Sequence, residues 1–284
     1  MTKHDVIAPR PTLIDRPNLS AAWADSFVHI IEHSGKELAP LVLSVTGFAG
    51  DGTPAEDADV RQLLDALLQA KDKLNIEDVA YTIFPQRLWK IAAGDRKRLF
   101  DLYAMAFPRY RAMNRQLNGR GLYFERLMSF GGGPCNGNQL EWILSQYDAR
   151  SDVRRSMLQA AIFDPSRDHV ANAQLGFPCL QHVSFEPTPS GLVVNAFYAT
   201  QQLFVKAYGN YLGLARLGAF MANQMHLPLA RLNVMIGVAK LERITKSDPA
   251  LQPLLLSARR LLKQLDSAFP ISVGARRSGS EAAA

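Results

Sequence analysis

The sequence predicts a single α/β domain. Three features predict it: apolar residues at helical spacing along several segments, short apolar runs bounded by Gly, Pro and Asp, and a composition suited to one buried core. At 284 residues, 48% hydrophobic and 20% charged, the chain is long enough to bury a substantial interior. We divide it into an irregular N-terminal arm at 1–18, one domain at 19–273 and a disordered tail at 274–284.

The arm mixes His4, Arg10 and Arg16 with prolines and has no apolar stretch, so it fits neither a secretory leader nor a helix. Phe27, Ile30 and Ile31 give an amphipathic helix over 26–37 closed by Gly35, and a strand follows at 41–48. Gly, Asp and Pro make 47–59 a loop, after which Val60, Leu63, Leu64, Leu67 and Leu68 mark a helix over 59–74. A further helix at 96–117 is interrupted near Pro108, and a glycine-rich loop at 131–137 precedes a helix at 138–147. That loop lacks the Lys-Ser/Thr pair of a phosphate-binding P-loop. Strands at 177–185 and 192–198 flank Glu186-Pro187-Thr188-Pro189-Ser190-Gly191, a connection suited to a hairpin. The nearly all-apolar helix at 211–224 belongs at the centre of the core, followed by a strand at 232–241 and a basic amphipathic helix at 248–265. No internal repeat is present.

The longest strongly apolar stretches, 41–45 and 177–183, are far shorter than the roughly 20 residues of a membrane-spanning helix, so no membrane partner is expected. Cys135 and Cys179 are the only cysteines, which reads as reduced thiols and a cytoplasmic location. The net charge of +6 favours anionic partners: phosphates, nucleic acid or a polyglutamylated cofactor. The cations are spread along the chain without an aromatic-basic reader motif, which weighs against nucleic acid. The scattered histidines and two cysteines give no zinc-site spacing, so no metal is expected.

Cys179 follows Pro178 at the start of an apolar strand, a placement that suits a fixed thiol facing a pocket. It reacts only if its thiolate is stabilised, and Arg154 and Arg155 lie upstream as sources of positive charge. The other reading is an inert core cysteine. His182 is separated from Cys179 by an odd number of positions, which on a regular strand points the two side chains to opposite faces.

Asp152-Val153-Arg154-Arg155, Asp164-Pro165, Phe177-Pro178-Cys179, Tyr198 and then Asn210 at the head of an apolar helix come in an order that resembles the thymidylate synthase and pyrimidine nucleotide hydroxymethylase family. The resemblance is clearest over 138–241 and only architectural before that. It implies a thymidylate synthase-like α/β fold of the α+β type, a large mixed sheet packed with helices that dimerises through a sheet face. By the same resemblance Cys179 adds to C6 of a pyrimidine nucleoside monophosphate, and C5 then attacks the one-carbon unit of 5,10-methylenetetrahydrofolate. Arg154 and Arg155 would reach the substrate phosphate of the other subunit in a homodimer with shared active sites; a solvated basic turn is the alternative. Asn210 would read the O4 and N3 edge. Tyr123, in Gly121-Leu122-Tyr123, matches a pocket-lining tyrosine or is a buried aromatic with a satisfied hydroxyl. Asp65 is the nearest acid to the family's catalytic glutamate, one methylene shorter, or else a surface acid of an amphipathic helix.

The chain departs from the family where the nucleotide is held. After Tyr198 it has Ala199-Thr200-Gln201-Gln202-Leu203 in place of Gln-Arg-Ser, so Gln201 stands in the substrate-binding stretch without a guanidinium clamp. Lys206 either compensates as a point charge or is solvated. Lys240 and Glu242 replace a His-x-Tyr pair; they either bond a sugar hydroxyl or close the site with a salt bridge. An early Arg-x-Gly-Thr loop is not recognisable at 47–53. Two readings follow: an enzyme that methylates or hydroxymethylates a variant nucleotide, or a catalytically decayed binding or assembly subunit.

Overall fold

The computed structural model describes residues 11–150, 152–171 and 177–268. In chain order the elements are β1 (Thr12–Arg16), α1 (Leu19–Glu32), β2 (Glu37–Leu38), β3 (Leu41–Val45), α2 (Ala58–Ala70), α3 (Ile76–Tyr81), α4 (Gln86–Ala92), α5 (Arg96–Met113) and α6 (Arg115–Asn118). There follow α7 (Tyr123–Met128), α8 (Gln139–Ala149), β4 (Gln159–Ala161), α9 (Pro165–Asp168), β5 (Leu180–Thr188), β6 (Gly191–Gln202), α10 (Tyr208–Gln224), β7 (Leu229–Lys240) and α11 (Gln252–Ala268). A π-helical turn, Leu203–Ala207, joins β6 to α10.

The strands form an open, mixed seven-stranded sheet in the order β1-β3-β7-β6-β5-β4, with β2 also paired to β7. β1 runs parallel to β3 and β6 parallel to β7; the other pairs are antiparallel. No helix among the described residues is long and apolar enough to cross a membrane.

Several helices start at side-chain caps that satisfy their first free amides. Asn18 accepts from the Ala21 amide (3.0 Å), Asp57 from Val60 (2.9 Å), Asp95 from Arg98 (3.1 Å) and Asn138 from Glu141 (3.0 Å). The Asn18 cap starts α1 seven residues before the helix expected at 26–37, and its buried face includes Trp23, Phe27 and Ile30. Trp23 Nε1 donates to the Leu203 carbonyl at 3.0 Å, which ties α1 to the π turn.

The expected irregular arm is corrected over its last part: Thr12–Arg16 is an edge strand, in register with Leu41–Val45. Prolines at 11 and 17 bracket it, and an edge strand tolerates that because only one side of its backbone is paired. Pro108 lies inside α5 rather than ending it. The hairpin, the central helix and the last strand lie where expected, as β5–β6, α10 and β7, with ends shifted by up to four residues. The tail expected at 274–284 and part of the arm lie outside the described residues.

α10 is buried on nearly every side and packs on β6 and β7. α3 crosses it at close range where Gly209 and Gly213 sit one turn apart. A Cβ on Gly209 would stand 2.6 Å from Val79 Cβ, and one on Gly213 2.7 Å from the Ala80 carbonyl oxygen. Hydrogen in place of a side chain lets the two backbones meet.

The strands around this helix are kinked. In β6, Tyr198 and Gln201 both point inward with Ala199 and Thr200 outward between them, and in β7 Ile236 and Ala239 do the same around Gly237 and Val238. Tyr198 is paired with Ile236 and Gln201 with Ala239, so the two kinks coincide. β5 carries its own irregularity at Gln181, beside Tyr198. On the opposite face, Ser44, Asn233, Asn195 and Ser184 form a hydrogen-bonded row across four strands (2.8, 2.9 and 3.3 Å). Leu13, Met235 and Phe197 are exposed on this same face.

Candidate functional site

Cys179 immediately precedes β5 and is half-buried; its carbonyl accepts from the Ala199 amide at 3.1 Å, which fixes it against the β6 kink. The Thr200 hydroxyl points at its Sγ from 3.8 Å. Tyr123, the first residue of α7, brings its hydroxyl to the same place: burial pushes its pKa up, and the nearby Cys179 adds to that shift. Tyr198 is fully buried and its pKa is also raised, by burial first and then by Tyr123, Tyr211 and Cys179. The sequence-predicted pair Cys179 and Tyr123 therefore meets.

Gln201 is 2% exposed; its Oε1 accepts from the Tyr211 hydroxyl at 2.7 Å. Its Nε2 and the Tyr198 hydroxyl have no hydrogen-bond partner among the described residues. A buried donor without a partner costs about 1–3 kcal/mol, so each such group needs a physical reason to persist. Asn210, in the first turn of α10, is 5% exposed, and its side chain has no hydrogen bond among the described residues.

Lys206, which the sequence offered either as a compensating point charge or as a solvated lysine, stands in the π turn. The lysine is half-buried in that turn, and its stem shares an apolar crevice with Leu64, Leu68, Ile76 and Val79. Burial lowers the pKa of its ammonium group, opposed by the charges of Cys179 and Asp78. Asp78 stands on α3, brought close by the glycine contact with α10.

Other predicted residues lie elsewhere or are already engaged. Asp65 accepts from the Ile76 amide at 2.8 Å and holds the start of α3. Lys240 pairs with Glu37 (3.2 Å), and Glu242 accepts from Gln202 Nε2 (2.7 Å). Arg155 pairs with Glu186 at 2.8 Å, whereas Arg154 is exposed beside it. The irregularity at Gln181 breaks the alternation assumed for His182: both Gln181 and His182 point away from the inner layer. His182 makes no hydrogen bond to Cys179 among the described residues, and burial alone lowers its pKa.

Cys179, the Thr200 hydroxyl, Tyr123 and Tyr198 thus gather at one end of a kinked sheet, and the buried Gln201 amide is held by Tyr211 in the same layer. A thiol in such a place acts as a nucleophile when its thiolate is stabilised. Compared with models of known protein families and with curated proteins, the chain matches none.

Proposed function

We propose that the protein transfers a one-carbon unit from 5,10-methylenetetrahydrofolate to C5 of a pyrimidine nucleoside monophosphate, with Cys179 as the nucleophile. The observation that supports this reading is the meeting of Cys179 with the Thr200 hydroxyl, Tyr123 and Tyr198, next to a Gln201 amide that Tyr211 holds on one side only. Their donors and acceptors fit the edge of a pyrimidine, and Asn210 is free to read O4 and N3 from the head of α10.

The sulfur of Cys179 forms a bond to C6, and the π electrons of the C5–C6 bond move toward C5 and O4. C5 becomes the carbon nucleophile. The folate would supply the electrophilic one-carbon unit and leave with the electrons of its bond to that carbon, and hydride from the folate or a hydroxyl from water would complete the methyl or hydroxymethyl group. Tyr123, whose raised pKa keeps it protonated at neutral pH, orients the water that takes the C5 proton. Breaking the S–C6 bond restores the ring double bond and frees the thiol.

The homodimer of this reading would use the bare sheet face, where the large apolar side chains Leu13, Met235 and Phe197 are exposed around the Ser44–Asn233–Asn195–Ser184 row. Arg154 would then serve the neighbouring site. The decayed-subunit reading draws on a different observation: Lys240 and Glu242 are held by Glu37 and Gln202, at the positions expected to recognise the sugar.

Tritium release from C5-labelled UMP, dUMP, CMP and dCMP in the presence of 5,10-methylenetetrahydrofolate decides between them. The enzyme releases label from at least one nucleotide, and Cys179→Ser lowers that rate by about a thousandfold or more while its thermal melt stays unchanged. A folded wild-type protein that releases none from any of the four overturns the proposal and leaves the binding subunit.

A further inference from the structure

We infer that the groove between α2 and α11 is a binding site for a small carboxylate with an apolar body. This goes beyond the chemistry proposed for Cys179 and does not rest on it.

The groove follows from the residue spacing of two helices. On α2, Asp59, Leu63 and Ala66 fall at i, i+4 and i+7; on α11, Pro253, Leu256, Ser257 and Arg260 fall at i, i+3, i+4 and i+7. Each set makes one helix face, and both faces line the same cavity of about 580 Å3. The helices run antiparallel: Asp59, early in α2, pairs with Arg260, late in α11, while Lys71, just past α2, pairs with Asp248, ahead of α11, at 2.6 Å. These ion pairs clamp the two helices beyond each end of the lined stretch, which is two turns or about 10 Å long.

Ser257 lies at the bottom of the groove. It is 7% exposed, and its Oγ has no hydrogen-bond partner among the described residues. A helical serine commonly returns its hydroxyl to the carbonyl four residues back, and that bond is not made here. One turn along the same face, Arg260 bonds Asp59 through Nη2, leaving Nε and Nη1 without partners among the described residues. Ser257 and Arg260 therefore present unused donors side by side, an arrangement that suits the two oxygens of a carboxylate. Asp59 and Arg260 cancel in charge. Lys263, the next residue on that face, has no ion pair among the described residues and makes this end attractive to an anion.

The opposite end is apolar. Leu63, Ala66 and Pro253 line it, and Leu256 is 65% exposed beside them. A cavity of this volume with an apolar end and a few donors has the make-up of a small-molecule site.

Calorimetric titration of the full chain with octanoate, and with octanol as its uncharged match, tests this. Octanoate should bind saturably with Kd below about 1 mM, at least about fivefold more tightly than octanol. Ser257→Ala should weaken octanoate by about fivefold, the scale of one hydrogen bond. Ala66→Trp, which changes an exposed position and fills the groove, should abolish binding. No saturable binding to the wild-type chain overturns the inference, whatever the variants do. So does a folded Ala66→Trp that still binds octanoate, or octanol binding as tightly as octanoate. A second copy of the chain seated in the groove would show in sedimentation as a dimer that Ala66→Trp breaks and octanoate does not, which also overturns it. Tritium release uses neither probe, so either proposal can fail alone.

Discussion

Two faces of the short helix α7 handle buried polar groups in opposite ways. Tyr123 joins the Cys179 site, where the Tyr198 hydroxyl and the Gln201 amide lack partners. Three residues on, Arg126 is fully buried yet well satisfied: it bonds Asp168 through both terminal nitrogens at 2.8 Å and donates to the carbonyls of Ile162 and Arg120 at 2.9 and 3.2 Å. Asp168 also accepts from the Asp164 amide at 2.9 Å. Although burial pushes the Asp168 carboxyl up, these bonds bring its pKa below the usual value. The Arg126–Asp168 pair is closed on itself and serves the fold, whereas the Tyr198 hydroxyl and the Gln201 amide are left open at a cost in stability.

The largest stability effect should come from breaking the closed region. Arg126→Met strands a fully buried carboxylate, and we expect a loss of about 3–5 kcal/mol in denaturant unfolding. Adding Asp168→Leu should recover much of it, because two apolar side chains carry no unmet charge. If the double variant is no more stable than the single one, the pair does not act as a closed unit.

A smaller effect is expected where a charge network is partly exposed. Arg216 and Arg61 hold Glu77 at about 2, below its ordinary 4.5. Since the folded value is the lower one, this stabilisation is complete above about pH 4.5 and is lost as pH falls toward 2. Glu77→Gln should therefore melt below wild type at neutral pH, with the gap closing as pH approaches 3; a constant gap would contradict the assignment.

The smallest stability change belongs to the open region. Tyr198→Phe removes a buried hydroxyl with no partner, so the melt should shift by no more than about 0.5 kcal/mol, in either direction. Nucleotide affinity, read by calorimetry, should nonetheless fall. Loss of stability without loss of binding would place Tyr198 with Arg126 and remove the contrast.

Much of the architecture was legible because long periodic or apolar segments speak for themselves: α10, the β5–β6 hairpin and β7 lie where their patterns predict. The six- and seven-residue helices α3 and α4 are too short to show a period, and β1 was hidden among prolines and charges. Asn18 was a readable cap for α1, yet the polar and small residues behind it concealed the early start.

Within the site, Cys179, Tyr123, Asn210 and Gln201 were legible as residue types in sequence order. Lys206 was named as a point charge or a solvated lysine, but its burial in a π turn, and the glycine-mediated crossing that brings α3 with Asp78 against α10, were invisible to spacing. Asp65 resembled a catalytic acid only by its position on a helix; its neighbour in space is the amide of Ile76. The parity argument for His182 assumed a regular strand, which the irregularity at Gln181 removes.

The coincident kinks of β6 and β7 also restrict how this sheet can change over generations. Removing one residue from Ala199-Thr200 alone would turn every later side chain of β6 to the wrong layer and pull Gln201 out of reach of Tyr211. A matching loss from Gly237-Val238 would be needed to restore the pairing. Length variation among descendants of this chain should therefore collect in its connecting loops, while these two strands lose or gain residues only as a pair.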